Sequence, residues 1–536
     1  MTHSTRIDEL PNSWHELGAT LSEIVEQHSR LHPNNTALIF RGRSISYQEF
    51  SQAIAECASA LRKLGLVRGD RLALLSPPRP EAMIVFIAAT KLGVIWLGLN
   101  PKYQPRELNY FIDHAKPKRI ISIDEFDGVN FCEKFKSLEK EGEEFRIGDV
   151  IYFENLNSNY KEIINRLNDG SRCEANTRRS DLHQPANAAM LVYTSGTTGK
   201  PKGALLRERD LIYRSYIQSI TFPTNAPPIA INYAPINHVG GFVFRGLSQI
   251  VAGGSVVYMD KFNAAEAAKL IKEHGVNMLM MGPTVLQMLL DEPSFDLDIM
   301  KRLDWFIFAG APLSVSTLKL IHRYCPNIGA AYGLTESVAS VSFARTPKSL
   351  EAIANTIGRP HLEGEMRVVG GDGKVVPIGK SGELQIRSEH CMIEYYLDPS
   401  ATKETITSDG WLNTGDAATL TSEGDFKLVG RIKEMYKSGG YNIYPREIES
   451  VLEEHPEIML SAVVPVDDPL YQQVGHAFVK LYHSDSDVTA ERLIAWCRDR
   501  MANYKVPKKI TILDSLPIMP TGKTDKLKLK SIASEL

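Results

Sequence analysis

The chain has 536 residues, more than one hydrophobic core organises, so two or more domains are expected. Its 43% hydrophobic and 23% charged residues are those of a soluble globular protein, and a formal net charge of -3 excludes a broad electrostatic grip on nucleic acid or an anionic membrane. The six cysteines stand far apart, with no CxxC pair and no metal-ligand spacing, and read as buried thiols in a reducing cytoplasm. Residues 1–21 carry charges throughout and lack the apolar centre of a secretion signal. The one membrane-like stretch, 83–99, is interrupted by Lys91 and Gly93 and is too short for a hydrocarbon layer about 30 Å thick. It reads as a buried helix followed by a core strand, with no membrane span.

In chain order, residues 21–30 are amphipathic, 36–40 and 44–47 form a hairpin around Arg41–Arg43, and 47–64 is helical. A strand at 71–75 and a helix at 80–92 follow. This alternation implies parallel sheets with helices on their faces. The rhythm returns at 187–332, with apolar strands at 188–193, 255–258, 278–281 and 305–309. Residues 365–430 differ: short alternating runs at 365–369, 382–387 and 426–429, separated by glycine turns, predict antiparallel hairpins or a small barrel. Beyond Arg431 come a helix at 443–453, strands at 459–466 and 476–481, and a helix at 489–501, an α+β unit of domain size. The predicted architecture is a large α/β domain, 1–431, with parallel sheets and a small β-barrel-like part, and an α+β domain, 432–536. The boundary falls near Arg431 to Lys433.

The run 193–203, YTSGTTGKPKG, follows an apolar strand and sets Thr194, Ser195, Thr197 and Thr198 among Gly196, Gly199 and Gly203. Glycines let backbone N–H groups approach a phosphate closely, hydroxyls add donors, and Lys200 and Lys202 add charge. Alone, such a run is more often a polar surface loop. It is a poor P-loop, because Gly196 and Gly199 stand too close and Pro201 follows Lys200, which blocks the helix a P-loop requires.

The run resembles the phosphate-binding signature of the adenylate-forming superfamily: acyl-CoA synthetases, adenylation domains of non-ribosomal peptide synthetases and beetle luciferases. Companion motifs follow in that family's order over roughly residues 20–530, beginning with 44–49 and with Lys91–Gly93 and Asn100–Pro101. Gly310-Ala311-Pro312 resembles the adenine-side loop. The run 330–337, AAYGLTES, resembles the adenine and magnesium element, with Ala331, Tyr332 and Gly333 at the adenine, Thr335 at the phosphate and Glu336 as a hard oxygen ligand for Mg²⁺. Read without the others, it is a turn before a helix capped by Thr335. Trp411 to Asp416 resembles the ribose element, in which Asp416 accepts from both ribose hydroxyls and Arg431 adds a fixed cationic fork. Lys433 falls at the family's hinge between a fixed and a mobile domain. Lys523, in the run PTGKTDK, takes the place of the catalytic lysine that holds carboxylate and α-phosphate in line.

The resemblance also bears on the substrates. His238 occupies the gate over the acyl site, and Thr194, Glu336 and Lys523 complete the implied catalytic set. Amino-acid-activating relatives place an Asp after the gate; Val239 stands here, so an α-amino acid is not expected. The implied pocket walls are Val239, Gly240, Phe242, Met281, Gly282, Ala309, Gly310 and Ala331, apolar and suited to an aromatic or a short- to medium-chain aliphatic acid. Coenzyme A is the expected acceptor, with Lys437, Gly439 and Gly440 at the thiol arm and Lys91, Lys505 and Lys508 at its nucleotide; a carrier protein is the alternative. The resemblance thus implies ATP, Mg²⁺ and CoA chemistry giving a thioester, AMP and pyrophosphate. Luciferase-like oxidation and an inactive binding protein on the same fold are the rival readings. A homodimer is left open.

Overall fold

The computed structural model describes residues 20–138, 150–154, 160–170, 187–194, 200–361, 363–482, 486–519 and 524–535. The first helix, Leu21–Leu31, opens on a capping box in which Thr20 and Glu23 satisfy each other's backbone donors, and it buries Leu21, Ile24 and Val25. Ser46 and Glu49 repeat the device at helix Tyr47–Lys63. The membrane-like stretch is a core helix and a core strand, as its composition predicts. Helix Pro80–Lys91 is buried from Pro80 to Thr90, and strand Ile95–Leu99 is buried throughout. Among the described residues no helix is long and apolar enough to cross a membrane.

Two sheets dominate the large domain. The first has six strands in the order Lys202–Arg207, Ala188–Thr194, Ile95–Leu99, Arg71–Leu75, Arg119–Ile123, Val150–Phe153; only the first pair is antiparallel. The second has nine, with Ile328–Leu334, Trp305–Ala309, Met278–Met281, Ile229–Asn232, Ser255–Tyr258 and Thr36–Phe40 running parallel between antiparallel edges. Strands buried on both faces read as continuous apolar runs, which is why their bounds were legible in sequence. In such sheets ligands gather beyond the carboxyl ends of the strands, here at Gly282, Gly310 and Thr335.

Residues 365–431 form the expected antiparallel hairpins as a four-stranded sheet, Glu365–Val369, Gly382–Arg387, Leu412–Leu420 and Phe426–Arg431. After the 3-10 turn Ile432–Glu434 the chain enters a different sheet, built from Tyr436–Ser438, Tyr441–Ile443, Ile458–Asp468, Gln472–Leu481 and Lys509–Ile512. This C-terminal unit has its own core, including Ile448, Leu452, Val463, Ala477 and Leu493. Its first helix is Pro445–Glu453, not 443–453: Pro445 sets the first turn, and Ile443 closes a hairpin instead. It touches the large domain through the Thr317 and Tyr482 hydroxyls, 3.1 Å apart.

An aromatic stack joins the two large sheets. Trp96 lies on Phe242 (centroids 4.7 Å, 27°) with Phe86 edge-on to both rings. Only glycine fits at position 98, where a Cβ would come within 2.7 Å of the Trp96 ring and 3.1 Å of the Asn237 Cα. The segment leading to His238 is thereby pressed against strand Ile95–Leu99. Trp96→Ala is expected to destabilise the protein by about 3–5 kcal/mol in urea unfolding, as for other buried Trp and Phe truncations.

Candidate active site

Asp416 is the most constrained carboxylate at the carboxyl edge. It is 4% exposed and pairs in register with Arg431 on the adjacent strand. Its Oδ1 lies 2.7 Å from Arg431 Nε, and its Oδ2 accepts from the Tyr332 hydroxyl at 2.5 Å. The Asp416 N–H donates to Thr414 Oγ1 at 3.1 Å, and Thr414 donates to Leu384 O at 2.7 Å. Burial, and then the Asp416 charge, push the Tyr332 hydroxyl far above its ordinary pKa, so it stays a donor. Each hydrogen bond to a charged group is worth about 1.5–3 kcal/mol. Side-on beside Tyr332, Ala331 pairs with Ala309, which brings Gly310 (φ 87°), Ala311 and Pro312 next to the tyrosine.

Residues 335–338 are the tip of a hairpin between Ile328–Leu334 and Ala339–Arg345, not the start of a helix. Gly333 is required there, because a Cβ would sit 1.8 Å from Ala339 O. Glu336 Oε1 accepts from the Tyr395 hydroxyl at 2.6 Å, and Lys202 Nζ lies 5.1 Å over the Tyr395 ring. Lys202 pairs with Thr194 across the neck of the glycine- and hydroxyl-rich loop, and the Thr194 hydroxyl approaches Lys202 O at 3.4 Å. Tyr395 thus draws the loop's base and Glu336 together. Lys200 is exposed; Ser195, Gly196, Thr197, Thr198, Gly199 and Lys523 lie outside the described residues. Glu336 Oε2 has no hydrogen-bond partner among the described residues, and these hold no cluster of three metal-ligating side chains. One carboxylate with a free oxygen fits a Mg²⁺ shared with a nucleotide's phosphates, and does not fit an all-protein cage.

His238 is half-buried, and its Nδ1 accepts from the Gly240 N–H at 3.0 Å, which leaves Nε2 as the protonated nitrogen of the neutral ring. Val239 and Gly240 follow at the start of the π-helix Gly240–Leu247. Ala309 and Ala331 share with Val239 the core on one face of the nine-stranded sheet, and Gly282 lies near Ala309 O. Two expected walls are displaced. Met281 belongs to the core on the opposite face, because side chains alternate along a strand; Met280 shares the face of Val239. Phe242 is 3% exposed and taken up by the stack with Trp96 and Phe86.

The CoA-side residues divide. Gly439 (φ 54°) and Gly440 (φ 87°) form the tip of a hairpin on which Lys437 is exposed, and Gly439 N–H donates to Tyr471 O at 3.0 Å. Lys508 Nζ lies 5.0 Å over the Tyr471 ring, and Lys505 pairs with Glu447 at 2.9 Å. Lys91 is elsewhere. It ends its helix before strand Ile95–Leu99 and pairs with Glu26 at 2.7 Å. Trp96 aligns with Met190, and Thr194 lies about 13 Å farther along the strand, at about 3.3 Å per residue. Lys91 therefore stands at the opposite edge of the sheet.

Residues 25–396 match the AMP-binding enzyme family, and residues 447–523 match the AMP-binding enzyme C-terminal domain. The chain belongs to the AMP-binding enzyme family. It is 30% identical to a putative acyl-CoA synthetase, YngI, of Bacillus subtilis over 97% of this chain and 98% of that protein. It is 29% identical to a feruloyl-CoA synthase of an Amycolatopsis species over 93% and 96%. Among solved structures, an ATP-bound RpMatB-BxBclM chimera matches with a TM-score of 0.81 and 26% identity, over 96% of this chain and 99% of that one. Its enzyme class is that of the AMP-forming acid–thiol ligases.

Several neighbours in this AMP-binding enzyme have no motif of their own. Glu383 Oε1 accepts from the Gly415 N–H at 3.2 Å beside Asp416, and burial raises its pKa. Tyr441 stacks on Tyr504 (4.1 Å, 13°) close to the Gly439–Gly440 tip, with both rings largely exposed. Exposed aromatics beside lysines were the available signal. Lys526 bridges Glu434, next to Lys433, at 2.7 Å and the buried Glu449 at 2.9 Å. Arg245 is a lone charge in the apolar run 239–247. Tyr332→Phe is expected to weaken AMP binding about tenfold in calorimetry, the cost of one donor to a buried carboxylate; an unchanged Kd would contradict the geometry.

Proposed function

We propose that the enzyme activates an aromatic or a short- to medium-chain aliphatic carboxylic acid with ATP and passes the acyl group to coenzyme A. The observation that carries this reading is the meeting, at one edge, of the Tyr332–Asp416–Arg431 junction with the Thr194–Lys202–Tyr395–Glu336 junction. The first suits a ribose and the second a triphosphate. In the first half-reaction a carboxylate oxygen bonds to the α-phosphorus, the bond to the bridging oxygen breaks, and pyrophosphate leaves with that electron pair. The loop 194–200 holds the β- and γ-phosphates through backbone N–H groups and hydroxyls. Asp416 accepts from the ribose hydroxyls, Arg431 fixes the carboxylate and faces the phosphates, and Lys523 aligns the attacking oxygen with the α-phosphate. Glu336 would hold Mg²⁺ against the phosphates, where the ion would neutralise part of their charge.

In the second half-reaction the CoA sulfur, having lost its proton, bonds to the acyl carbon, and AMP leaves. We place the domain boundary at 431/432 and the hinge at Lys433. Rotation there takes Lys523 away and brings Gly439 and Gly440 to the adenylate. Lys437 lies with these glycines along the thiol arm, and Lys505 and Lys508, with the aromatic faces of Tyr471 and Tyr504, supply cations and stacking surfaces for the CoA nucleotide. His238 closes the acyl site, and the absence of an acid at 239 disfavours amino acids. Among the described residues four of five cysteines are buried and all five are free of disulfides, which accords with a cytoplasmic enzyme.

Pyrophosphate release over a panel of aryl, fatty and amino acids, with and without CoA, tests the reading; a CoA thioester of a non-amino acid is the expected product. Lys523→Ala should abolish adenylation while leaving thioester formation from supplied acyl-adenylate within about threefold, since an interaction specific to one transition state is lost. Lys433→Pro should slow only the CoA step. Equal losses in both half-reactions would remove the assigned roles of both lysines.

A further inference from the structure

The hairpin tip that carries Glu336 is bent in a way its own residues disfavour. Val338 and Ala339 have φ of 59° and 86°, the left-handed region, where a non-glycine residue is strained. Such backbone persists only where its surroundings over-determine it. Within the tip, Val338 N–H donates to Thr335 O at 3.0 Å and Leu334 N–H donates to Ser337 Oγ at 2.8 Å. Further restraints come from outside the hairpin.

Arg214 supplies one of them. It lies on helix Glu208–Thr221, is 4% exposed, and has no place in the chemistry above. Its Nε donates to Ser337 O at 3.1 Å, and its Nη2 donates to His390 O at 3.1 Å and to Ser388 Oγ at 3.3 Å. The guanidinium therefore ties the residue after Glu336 to the segment 388–396. That segment also meets the tip directly, since Met392 N–H donates to Glu336 O at 2.8 Å. It is paired in turn along the edge strand Lys202–Arg207, with Ile393 N–H donating to Leu205 O at 2.8 Å and Tyr396 N–H to Gly203 O at 2.7 Å. The planar fork of a buried arginine, given to carbonyls of separate segments, fixes the spacing between them.

Tyr395 reaches the carboxylate itself. Its N–H donates to Thr402 Oγ1 at 2.9 Å, and the Thr405 side chain hydrogen-bonds its hydroxyl. That hydroxyl donates to Glu336 Oε1 at 2.6 Å, a charge-assisted bond that fixes the rotation of the carboxylate. Glu336 Oε2 accepts from no described residue. The protein thus engages one oxygen and leaves the other available.

We propose that Tyr395 is a positioning residue for the divalent cation, setting the rotation of the Glu336 carboxylate, and that Arg214 supports it by fixing Ser337 beneath that side chain. This rests on the reading of Glu336 as the ion's protein ligand and deepens it. Hydrogen-bonded partners behind a metal ligand typically account for about 10–100-fold in metal affinity. A purely structural role has a different signature. Removing only the Tyr395 hydroxyl leaves the bonds from Met392 and Arg214 in place, so the tip keeps its course and the carboxylate alone is released.

Calorimetry of the full-length enzyme with a nonhydrolysable ATP analogue, in Mg²⁺ and in EDTA, tests this. In Tyr395→Phe the Kd in Mg²⁺ should rise about tenfold. Its Kd in EDTA and its Kd for AMP should stay within about twofold, which also shows that the variant folds. Arg214→Lys keeps a charge but not the fork, and should shift the Mg²⁺ value in the same direction by a smaller factor. Glu336→Gln should remove most of the gain from Mg²⁺, and adding Tyr395→Phe to it should change little, because residues in one chain of contacts are not additive. Equal losses in Mg²⁺ and EDTA, no loss in either, or full additivity with Glu336→Gln would overturn the assignment. A Mg²⁺ gain left intact by Glu336→Gln would overturn the reading of Glu336 and this one with it.

Discussion

The structure turns on one buried carboxylate. Asp416 stands where three parts of the chain meet: Tyr332 from the nine-stranded sheet, Arg431 from the last strand of the antiparallel sheet, and the turn Ile432–Glu434 that leads into the C-terminal unit. A carboxylate that deep needs both partners, because a buried charge that loses one becomes strongly unfavourable. Meeting that need fixes strand Ile328–Leu334 against the hairpin of Leu412–Leu420 and Phe426–Arg431 and sets where the chain leaves the large domain. In the proposed function the same contact that stabilises the fold would also position the nucleotide and the base of the hinge.

A second set of charges continues this order into the C-terminal unit. Lys526 sits between Glu434 and Glu449, and Arg446 joins Glu449 to Glu453. Burial opposes ionisation of Glu449, yet the Lys526 and Arg446 charges hold its carboxyl below the ordinary range. The segment that follows Lys523 is thus tied to the residue that follows Lys433. Under the proposed rotation about Lys433, this tie would let the segment after Lys523 move with the helix Pro445–Glu453 as one body.

Much of this was legible in sequence, for identifiable reasons. Buried parallel strands such as Met278–Met281 and Trp305–Ala309 are uninterrupted apolar runs, so their ends show. The proposed ATP-side residues lie in loops whose glycines and hydroxyls have a chemical task; Tyr332 and Arg431 meet on Asp416 and Glu336 meets Tyr395, while residues 195–199 and Lys523 lie outside the described residues. What failed depended on direction or distance in space. Met281 was one residue out of phase with the pocket face, Phe242 was claimed by Trp96, and Lys91 lay at the wrong edge of a sheet. Arg245 was visible as a charge in an apolar run, but only the folded chain shows its guanidinium donating to Met280 O and Gly240 O.

The central claim is that Tyr332 and Arg431 act on the nucleotide through one shared carboxylate. A double-mutant cycle of Tyr332→Phe and Arg431→Leu, read as AMP affinity by calorimetry, tests it most directly. Partners of one group couple, so the cycle should show an interaction energy of about 1 kcal/mol or more. Strict additivity of the two substitutions would contradict the account.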